Sequence, residues 1–515
     1  PGERKVHEHV MPRCGGMAMA IGASVPILLW LPKTYFVKGF LVGGLILMFF
    51  GLADDIKDLK PNTKLLGQTM GALIVTLVGG IKISDLGSLW FSGAVLPDWA
   101  SIPLTVFVIV GVTNATNLSD GLDGLAGGIA LLIFLCIGYL GVMQEDWATV
   151  MIAIAVGGSV LGFLRFNSYP AQLFMGDAGS QLLGFAGIVL SIKLAQQSPT
   201  ISVITPLIIF GIPILDTLTV MTRRMAKGRS PFAADRNHFH HQLMGIGLYH
   251  TEAVLTIYLA QSLLTLIAIV YHGSNDWMLL AAYLCFAGAV VGAFRLSQKT
   301  EYRINRDRFL NTTKIRLKPL KDRGQIIKFS FGIVKIGVPA LLIFNALFHP
   351  LDSRIYYVLS VSFILVLLLA WFLNKALLNR FAKIALYLFT PFMVYNCDLG
   401  LYSNLNPLLI GLYNALYLLL LVSVFLTMKL TRRSKGFKSS TLDFLVIFVI
   451  LLIPNLPNVS MQGHLLGLVA VKTVILYYSY EVLIGELRRK SLNFMISAAV
   501  FTLTTKVALS VLYIA

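Results

Sequence analysis

The sequence predicts an all-α polytopic integral membrane protein with about 17 transmembrane helices, about 10 in an N-terminal part and about 7 in a C-terminal extension. Of its 515 residues, 57% belong to the AVILMFWYC set and 13% are charged. A soluble domain has about 45–50% and about 25%. Mean hydropathy is +0.78. Apolar runs of roughly 15–23 residues recur along the chain, close to the roughly 20 that cross hydrocarbon. The loops between them alternate in charge. Barrel strands would be about 10 residues long and alternating in polarity, so the spans are helices. The same composition excludes disorder and collagen. Cys14, Cys136, Cys285 and Cys397 have no repeating spacing, which argues against a disulfide framework or a zinc site.

In chain order the first ten runs fall near 17–31, 38–53, 64–80, 102–119, 122–143, 147–164, 178–196, 202–222, 251–271 and 276–296. Seven more fall near 329–349, 355–373, 380–397, 407–428, 441–455, 463–484 and 491–513. With the N-terminus in the cytoplasm, the inner loops hold Lys57, Lys60, Lys64, Arg165, Arg223, Arg224, Lys227, Arg229 and the tract 297–328. The outer loops around 144–146, 196–198, 274–276 and 454–462 carry almost no Lys or Arg. This is the positive-inside bias repeated along the chain, and one missed helix would invert every later loop. It also accounts for the net charge of +18, from 42 Lys and Arg against 24 Asp and Glu, without any nucleic acid partner. The basic tract 297–328 reads as a cytoplasmic linker between a membrane domain at 1–296 and a second at 329–515. The tract also suits contact with anionic membrane lipids. The opening Pro1–Arg13 is polar, and no signal peptide is expected. In the later spans Asp443, Lys472, Glu481 and Lys506 are ionisable. Such groups are functional candidates, although snorkelling from run ends accounts for several.

Four polar clusters follow the topology to the cytoplasmic side. Asp54, Asp55 and Asp58 close the second run, and the i,i+4 spacing of Asp54 and Asp58 places them on one helical face. A helix C-terminus is the wrong end for three carboxylates, so a divalent cation or a nearby basic group should balance them. Asn114, Asn117, Asp120 and Asp123 come in i,i+3 pairs among Gly121, Gly124, Gly127 and Gly128. Oxygen donors beside glycines suit a hard cation or a ribose. Asp177, in Phe174–Ser180, is expected as an N-cap at a helix start. Phosphate binds well there, and a carboxylate can hold Mg²⁺ against it. The last cluster joins Asp216, Arg223 and Arg224 to Arg236, His238, His240 and His241. Three histidines in four residues suit phosphate; zinc would need a further ligand that is not close in sequence.

Ionisable groups gathered at one interface point to phosphoryl chemistry between a water-soluble donor and a membrane-embedded acceptor. A transporter or flippase of lipid-linked sugars is the alternative by size; it should carry such groups at the midplane instead.

These clusters, in order and spacing, resemble the polyprenyl-phosphate N-acetylhexosamine-1-phosphate transferases. The resemblance rests on Asp54–Asp58, Asn114–Ala126, Phe174–Ser180 and His238–His241, and on Pro1–His7 and Pro12–Gly16 as a first cytoplasmic loop. It covers roughly residues 1–296 and is similar to the undecaprenyl-phosphate GlcNAc-1-phosphate transferase branch. The phospho-MurNAc-pentapeptide branch, which carries a consecutive His triplet, is the runner-up. The resemblance implies a helix before residue 1, a UDP-sugar donor, a polyprenyl phosphate acceptor and Mg²⁺, with Mn²⁺ as a substitute. It implies a multi-pass protein of the bacterial cytoplasmic membrane, and a homodimer is compatible with it. By the same resemblance Asp177 and Asn117 hold the metal, and Asp54 and Asp55 serve the acceptor phosphate, one as base, with Asp58 as a further catalytic candidate. Asp120 and Asp123 face the uridine or ribose and Phe174 the uracil, with Asn114 as a further substrate-binding candidate. Arg224, Arg236, His238, His240 and His241 hold the sugar or diphosphate, with Arg4, Lys5 and Arg13 in a second tier. The extension after 296 departs from the family and resembles nothing recognised.

Overall fold

The computed structural model describes residues 11–89, 95–231, 238–300, 325–347, 386–387, 390–401, 407–430, 441–452 and 461–487. The chain is all-α, as its composition predicts. Among the described residues strand pairing is limited to one isolated bridge between Asp85 and Val95. Nine described helices are long and apolar enough to cross a membrane. The runs expected near 355–373 and 491–513 lie outside the described residues.

The chain divides into two compact units, one of Pro1–Ile304 with Ser440–Val446, the other of Asn305–Ser439 with Ile447–Ala515. The first contains α1 (Gly15–Trp30), α2 (Tyr35–Lys57), α3 (Pro61–Leu77), α4 (Asp98–Leu118), α5 (Leu125–Met143) and α6 (Trp147–Asn167). It continues with α7 (Gly176–Gln197), α8 (Thr205–Ile209), α9 (Gly211–Ala226), α10 (Phe239–Gly245), α11 (His250–Val270) and α12 (Asp276–Lys299). The tract expected to start the linker at 297 is therefore still helical to Lys299. α7 is the central helix and almost wholly buried, while α12 is peripheral and largely exposed. Leu28, Leu45, Phe107 and Ile154 are exposed on outer faces, where lipid replaces water as their neighbour.

Helix starts follow local chemistry. The Thr34 hydroxyl accepts from Val37 N–H at 3.3 Å to begin α2. Asp146 accepts from Thr149 N–H at 3.2 Å to begin α6, and Asn275 from Trp277 N–H at 2.9 Å to begin α12. Pro61 opens α3, where its missing N–H costs nothing. At the end of the bundle away from the polar clusters, the Asp276 carboxylate accepts from Ser88 N–H at 2.7 Å, Ser88 Oγ at 2.8 Å, Val203 N–H at 3.2 Å and Ser202 Oγ. It ties two loops, α3–α4 and α7–α8, to the start of α12.

The run 202–222 is not one span. It is broken into α8 and α9 at Phe210. Pro213 has no N–H to return to the Ile209 carbonyl four residues back. In an apolar interior that carbonyl needs another donor. Gln261 of α11 supplies it, Nε2 to Ile209 O at 2.9 Å, and Tyr283 of α12 donates to Gly211 O at 3.0 Å.

In the second unit, helices Gln325–Leu347, Pro407–Leu430 and Met461–Leu487 share a core that includes Val338, Leu341, Leu420, Val424 and Leu476.

Replacing Gln261 by Leu strands the Ile209 carbonyl. The variant should be less stable by about 1–3 kcal/mol. Thermal unfolding in detergent checks this; an unchanged Tm would mean that the break is held by other contacts.

Candidate active site

Alternating helices bring the C-terminal ends of α2, α4, α6 and α9 together with the N-terminal ends of α1, α3, α5, α7 and α11. The polar clusters meet there. Asp55 accepts from Asp177 N–H at 3.0 Å and Ala178 N–H at 3.3 Å, so it caps α7 from α2. Gly176 makes this approach feasible. Its φ is +68°, and a Cβ there would stand 2.3 Å from Asp55 Oδ2. Arg13 lies 3.7 Å from the other Asp55 oxygen. Two expectations are thereby corrected. Met175, not Asp177, is the N-cap of α7, and Asp177 sits in the first turn. The free N–H groups offered to phosphate already hold a carboxylate of the chain itself.

Asp54 is buried and accepts from Leu59 N–H at 2.7 Å. Its second oxygen meets the ammonium of Lys64, which also donates to Asp177 Oδ2 at 3.1 Å. One cation thus bridges α2 and α7. Asp58 is not part of this group. α2 ends at Lys57, and Asp58 is an exposed C-cap with φ of 46°, in the left-handed region. Turning the backbone there removes Asp58 from the Asp54 face, so the i,i+4 expectation fails.

Asn117 lies one helical turn along α7 from Asp177, where its Oδ1 accepts from Ser180 Oγ at 2.6 Å. Asn114 is drawn into an amide pair with Gln68 of α3, at 2.6 and 3.2 Å. That pair joins α3 to α4 and commits the carboxamide to the bundle.

In the α4–α5 loop, Asp120 is accessible to solvent yet closely walled by protein. That crowding, with the carboxylates of Asp177, Asp123 and Asp55 near, pushes its pKa up to about 7. Asp123 is buried and accepts from Ala171 N–H at 2.9 Å, while its own N–H donates to His250 Nε2 at 3.1 Å. The next residue, Gly124, donates to Asn167 Oδ1 at 2.9 Å, and Asn167 Nδ2 donates to Leu173 O at 2.8 Å. Asp123 therefore holds the 169–175 loop in place. Phe174 is half-buried, with its N–H on Pro12 O at 2.9 Å and its carbonyl accepting from Gly15 at 3.0 Å.

Asp216 orders the histidines. It pairs with His238 Nδ1 at 2.8 Å and accepts from Phe239 N–H at 2.8 Å. His240 is buried against Gly121, whose absent Cβ would lie 2.3 Å from the ring. It reaches the aspartate loop from the opposite side. Burial, then the neighbouring imidazoles of His241, His238 and His250, lowers its pKa to about 3, so the ring is neutral at pH 7. His241 is exposed, 4.2 Å centroid to centroid from His240. Arg224 is buried and donates to Pro231 O. Arg236, with Arg4 and Lys5, lies outside the described residues.

Among the described residues no group of three His, Cys, Asp or Glu converges on a metal position. The chemistry of the donors still suits a hard cation. Asp54 and Asp177 already share one positive charge, and the Asn117 oxygen lies a turn away. Lys64 supplies that charge in this structure.

Sequence reasoning missed Lys64, Gln68, Asn167, Tyr169 and His250. Lys64 had a signal: a lysine in the first turn of a helix opposes the dipole and needs an anionic partner. His250 and Tyr169, stacked at 4.4 Å, had none, because only the fold joins them.

The sequence model of glycosyl transferase family 4 matches residues 37–195. The chain is 36% identical over 280 residues to a protein of Bacillus subtilis (strain 168) named "Probable undecaprenyl-phosphate N-acetylglucosaminyl 1-phosphate transferase", covering 54% of this chain and 78% of that one. It is 34% identical over 294 residues to the "Decaprenyl-phosphate N-acetylglucosaminephosphotransferase" of Mycolicibacterium smegmatis, covering 50% and 71%. It is 30% identical over 295 residues to the "Undecaprenyl-phosphate alpha-N-acetylglucosaminyl 1-phosphate transferase" of Escherichia coli (strain K12), covering 55% and 80%.

Two outcomes follow from this geometry. Gly176→Ala should lose the Asp55 cap and about 1–3 kcal/mol of stability, read as a lower Tm and faster amide exchange in the first turn of α7. His240 binds fewer protons folded than unfolded between about pH 3 and its ordinary value of 6.5. Its contribution to stability is therefore lost as pH falls through that window. The stability gap between the wild type and His240→Gln should narrow from pH 6.5 towards 3 in a thermal-unfolding series; a constant gap would refute the depressed value.

Proposed function

The chain belongs to the polyprenyl-phosphate N-acetylhexosamine-1-phosphate transferases of glycosyl transferase family 4, and from that premise we propose the reaction it performs. An oxygen of polyprenyl phosphate attacks the β-phosphorus of a UDP-sugar, the bond between the two phosphoryl groups breaks, and UMP leaves. The product is a polyprenyl-diphospho-sugar, with GlcNAc as the sugar that the relatives' names favour. Those names also favour this reaction over phospho-MurNAc-pentapeptide transfer and over lipid-linked sugar transport.

The observation that carries the reading is the junction in which Lys64 is shared by Asp54 and Asp177, beside Asn117. It lies at the helix ends, where a lipid phosphate at the interface and a soluble nucleotide can meet. Asp177 and Asn117, with Asp54 close by, would hold Mg²⁺, which supplies neutralisation of the diphosphate charge. The chain's own residues do the rest. Lys64 can exchange its carboxylate partners for phosphate oxygens as they arrive. Asp55 fixes the start of α7 and keeps Asp177 at the junction. A phosphate monoester has its second pKa near about 6, so the acceptor is largely ionised and needs no strong base. Neutral His240, anchored against Gly121, can donate to a phosphate or sugar oxygen without bringing a second positive charge. The positive-inside loops support a cytoplasmic site in a bacterial inner membrane.

The full chain, given UDP-GlcNAc and polyprenyl phosphate, should release UMP in a divalent-cation-dependent reaction. Release of UDP would make it an ordinary glycosyltransferase and sink the proposal. Asp177→Asn should lower turnover by roughly a hundredfold or more. A wild-type rate in that variant would remove Asp177 from the junction's chemistry. A panel of UDP-sugars reads the specificity.

A further inference from the structure

The second unit holds a charged pair that the transfer reaction does not use. Asp398 is fully buried and meets the ammonium of Lys472, itself 3% exposed. Lys472 is the twelfth of 27 residues in helix Met461–Leu487, too far from either end to snorkel, so the run-end explanation fails for it. Asp398 lies in the helical segment 390–401. Its second oxygen, Oδ2, is buried and has no hydrogen-bond partner among the described residues. The ammonium also lies 4.2 Å from the ring centroid of Tyr413 and 5.7 Å from that of Tyr417. These tyrosines are i,i+4 on helix Pro407–Leu430. Their hydroxyls are fixed by Asn345 of helix Gln325–Leu347, Tyr413 Oη donating to Oδ1 at 2.6 Å and Asn345 Nδ2 donating to Tyr417 Oη at 3.0 Å.

We propose that Asp398 is a proton-exchange site inside the second unit, with Lys472 as its built-in counter-ion. Three features lead there. A lone pair held in an apolar interior without a donor is costly, and a proton is the smallest ligand that relieves it. A metal cation would have to sit against Lys472 and be repelled, whereas a proton adds to Oδ2 without displacing the ammonium. When Asp398 is neutral, Lys472 still rests on the Tyr413 and Tyr417 faces, so the cluster can hold either charge state. Proton uptake converts carboxylate to carboxylic acid and raises the cluster's charge by one; no other bond changes. The facing groups are Lys472 from 461–487, and Tyr413 and Tyr417 from 407–430. Helix 325–347 contributes Asn345, which does not titrate, and Cys397 adjoins Asp398 in the chain. Ionisable groups enclosed within membrane helices are the usual parts of proton relays.

The test is infrared difference spectroscopy of the full chain in lipid nanodiscs, between about pH 8 and about pH 5. A buried carboxylic-acid carbonyl band should appear on acidification and vanish in Asp398→Asn. In Lys472→Met, loss of the opposite charge should raise the midpoint by about one pH unit or more. The double variant Asp398→Asn/Lys472→Met, which leaves no unpaired charge, serves as the folded control if either single variant is unstable. No band lost with Asp398 across that range, or a midpoint indifferent to Lys472, overturns the proposal and leaves a static ion pair.

Discussion

Hydrocarbon forbids unpaired backbone groups, so a helix that crosses it can offer free N–H and C=O groups only at its ends. The first unit is organised by that constraint. Where the chain breaks it, at Phe210 between α8 and α9, side chains from α11 and α12 restore the lost bonds. Where the chain obeys it, polar chemistry collects at the helix termini. The N-terminus of α7 is the focus, because α7 is the most enclosed helix and its first turn must find an anion. Asp55 provides one from a neighbouring helix, and its two hydrogen bonds join the end of α2 to the start of α7.

The capped end then decides the electrostatics. With Asp55 committed to backbone, Asp54 and Asp177 face each other and require a positive charge, which Lys64 supplies. Asp120 stands a little away, closely walled by protein and facing the carboxylates of Asp177, Asp123 and Asp55, and its affinity for protons rises accordingly. His238 is tied to Asp216, while His240 is pressed neutral against the aspartate loop. The arrangement separates charged and uncharged donors by role. Lys64 and Arg13 can meet phosphate charge, and His240 can donate a hydrogen bond without adding to it.

The sequence announced the class of fold clearly, because hydropathy and loop charge are summed over many residues and tolerate local error. It also located the acidic clusters, since carboxylates at membrane helix ends are scarce enough to stand out. It could not assign duties within a cluster. Asp54, Asp55 and Asp58 look alike in the chain, yet one is buried under Lys64, one caps α7, and one is turned outward by a left-handed residue. Asn114 and Asp123 read as ligands but bind neighbouring protein, because their partners Gln68 and Ala171 lie 46 and 48 residues away. Long-range pairs of this kind leave no periodic trace. The histidine cluster was legible as a cluster; the neutrality of His240 was not, since it comes from burial.

The two units treat charge in opposite ways. In the first unit the charges of the acidic junction gather at helix ends, each with a local partner. In the second, Asp398 and Lys472 sit within apolar helices. Removing two charges from water costs more than a single contact returns, and a well-packed apolar pair would often be as stable. A purely structural pair would be expected to satisfy every lone pair, as Asp276 does with four donors in the first unit. Among the described residues one Asp398 oxygen has no hydrogen-bond partner, and Tyr413 and Tyr417 offer its counter-ion aromatic faces as a second resting place. That combination is suited to a group that changes charge, and it distinguishes this pair from a strut.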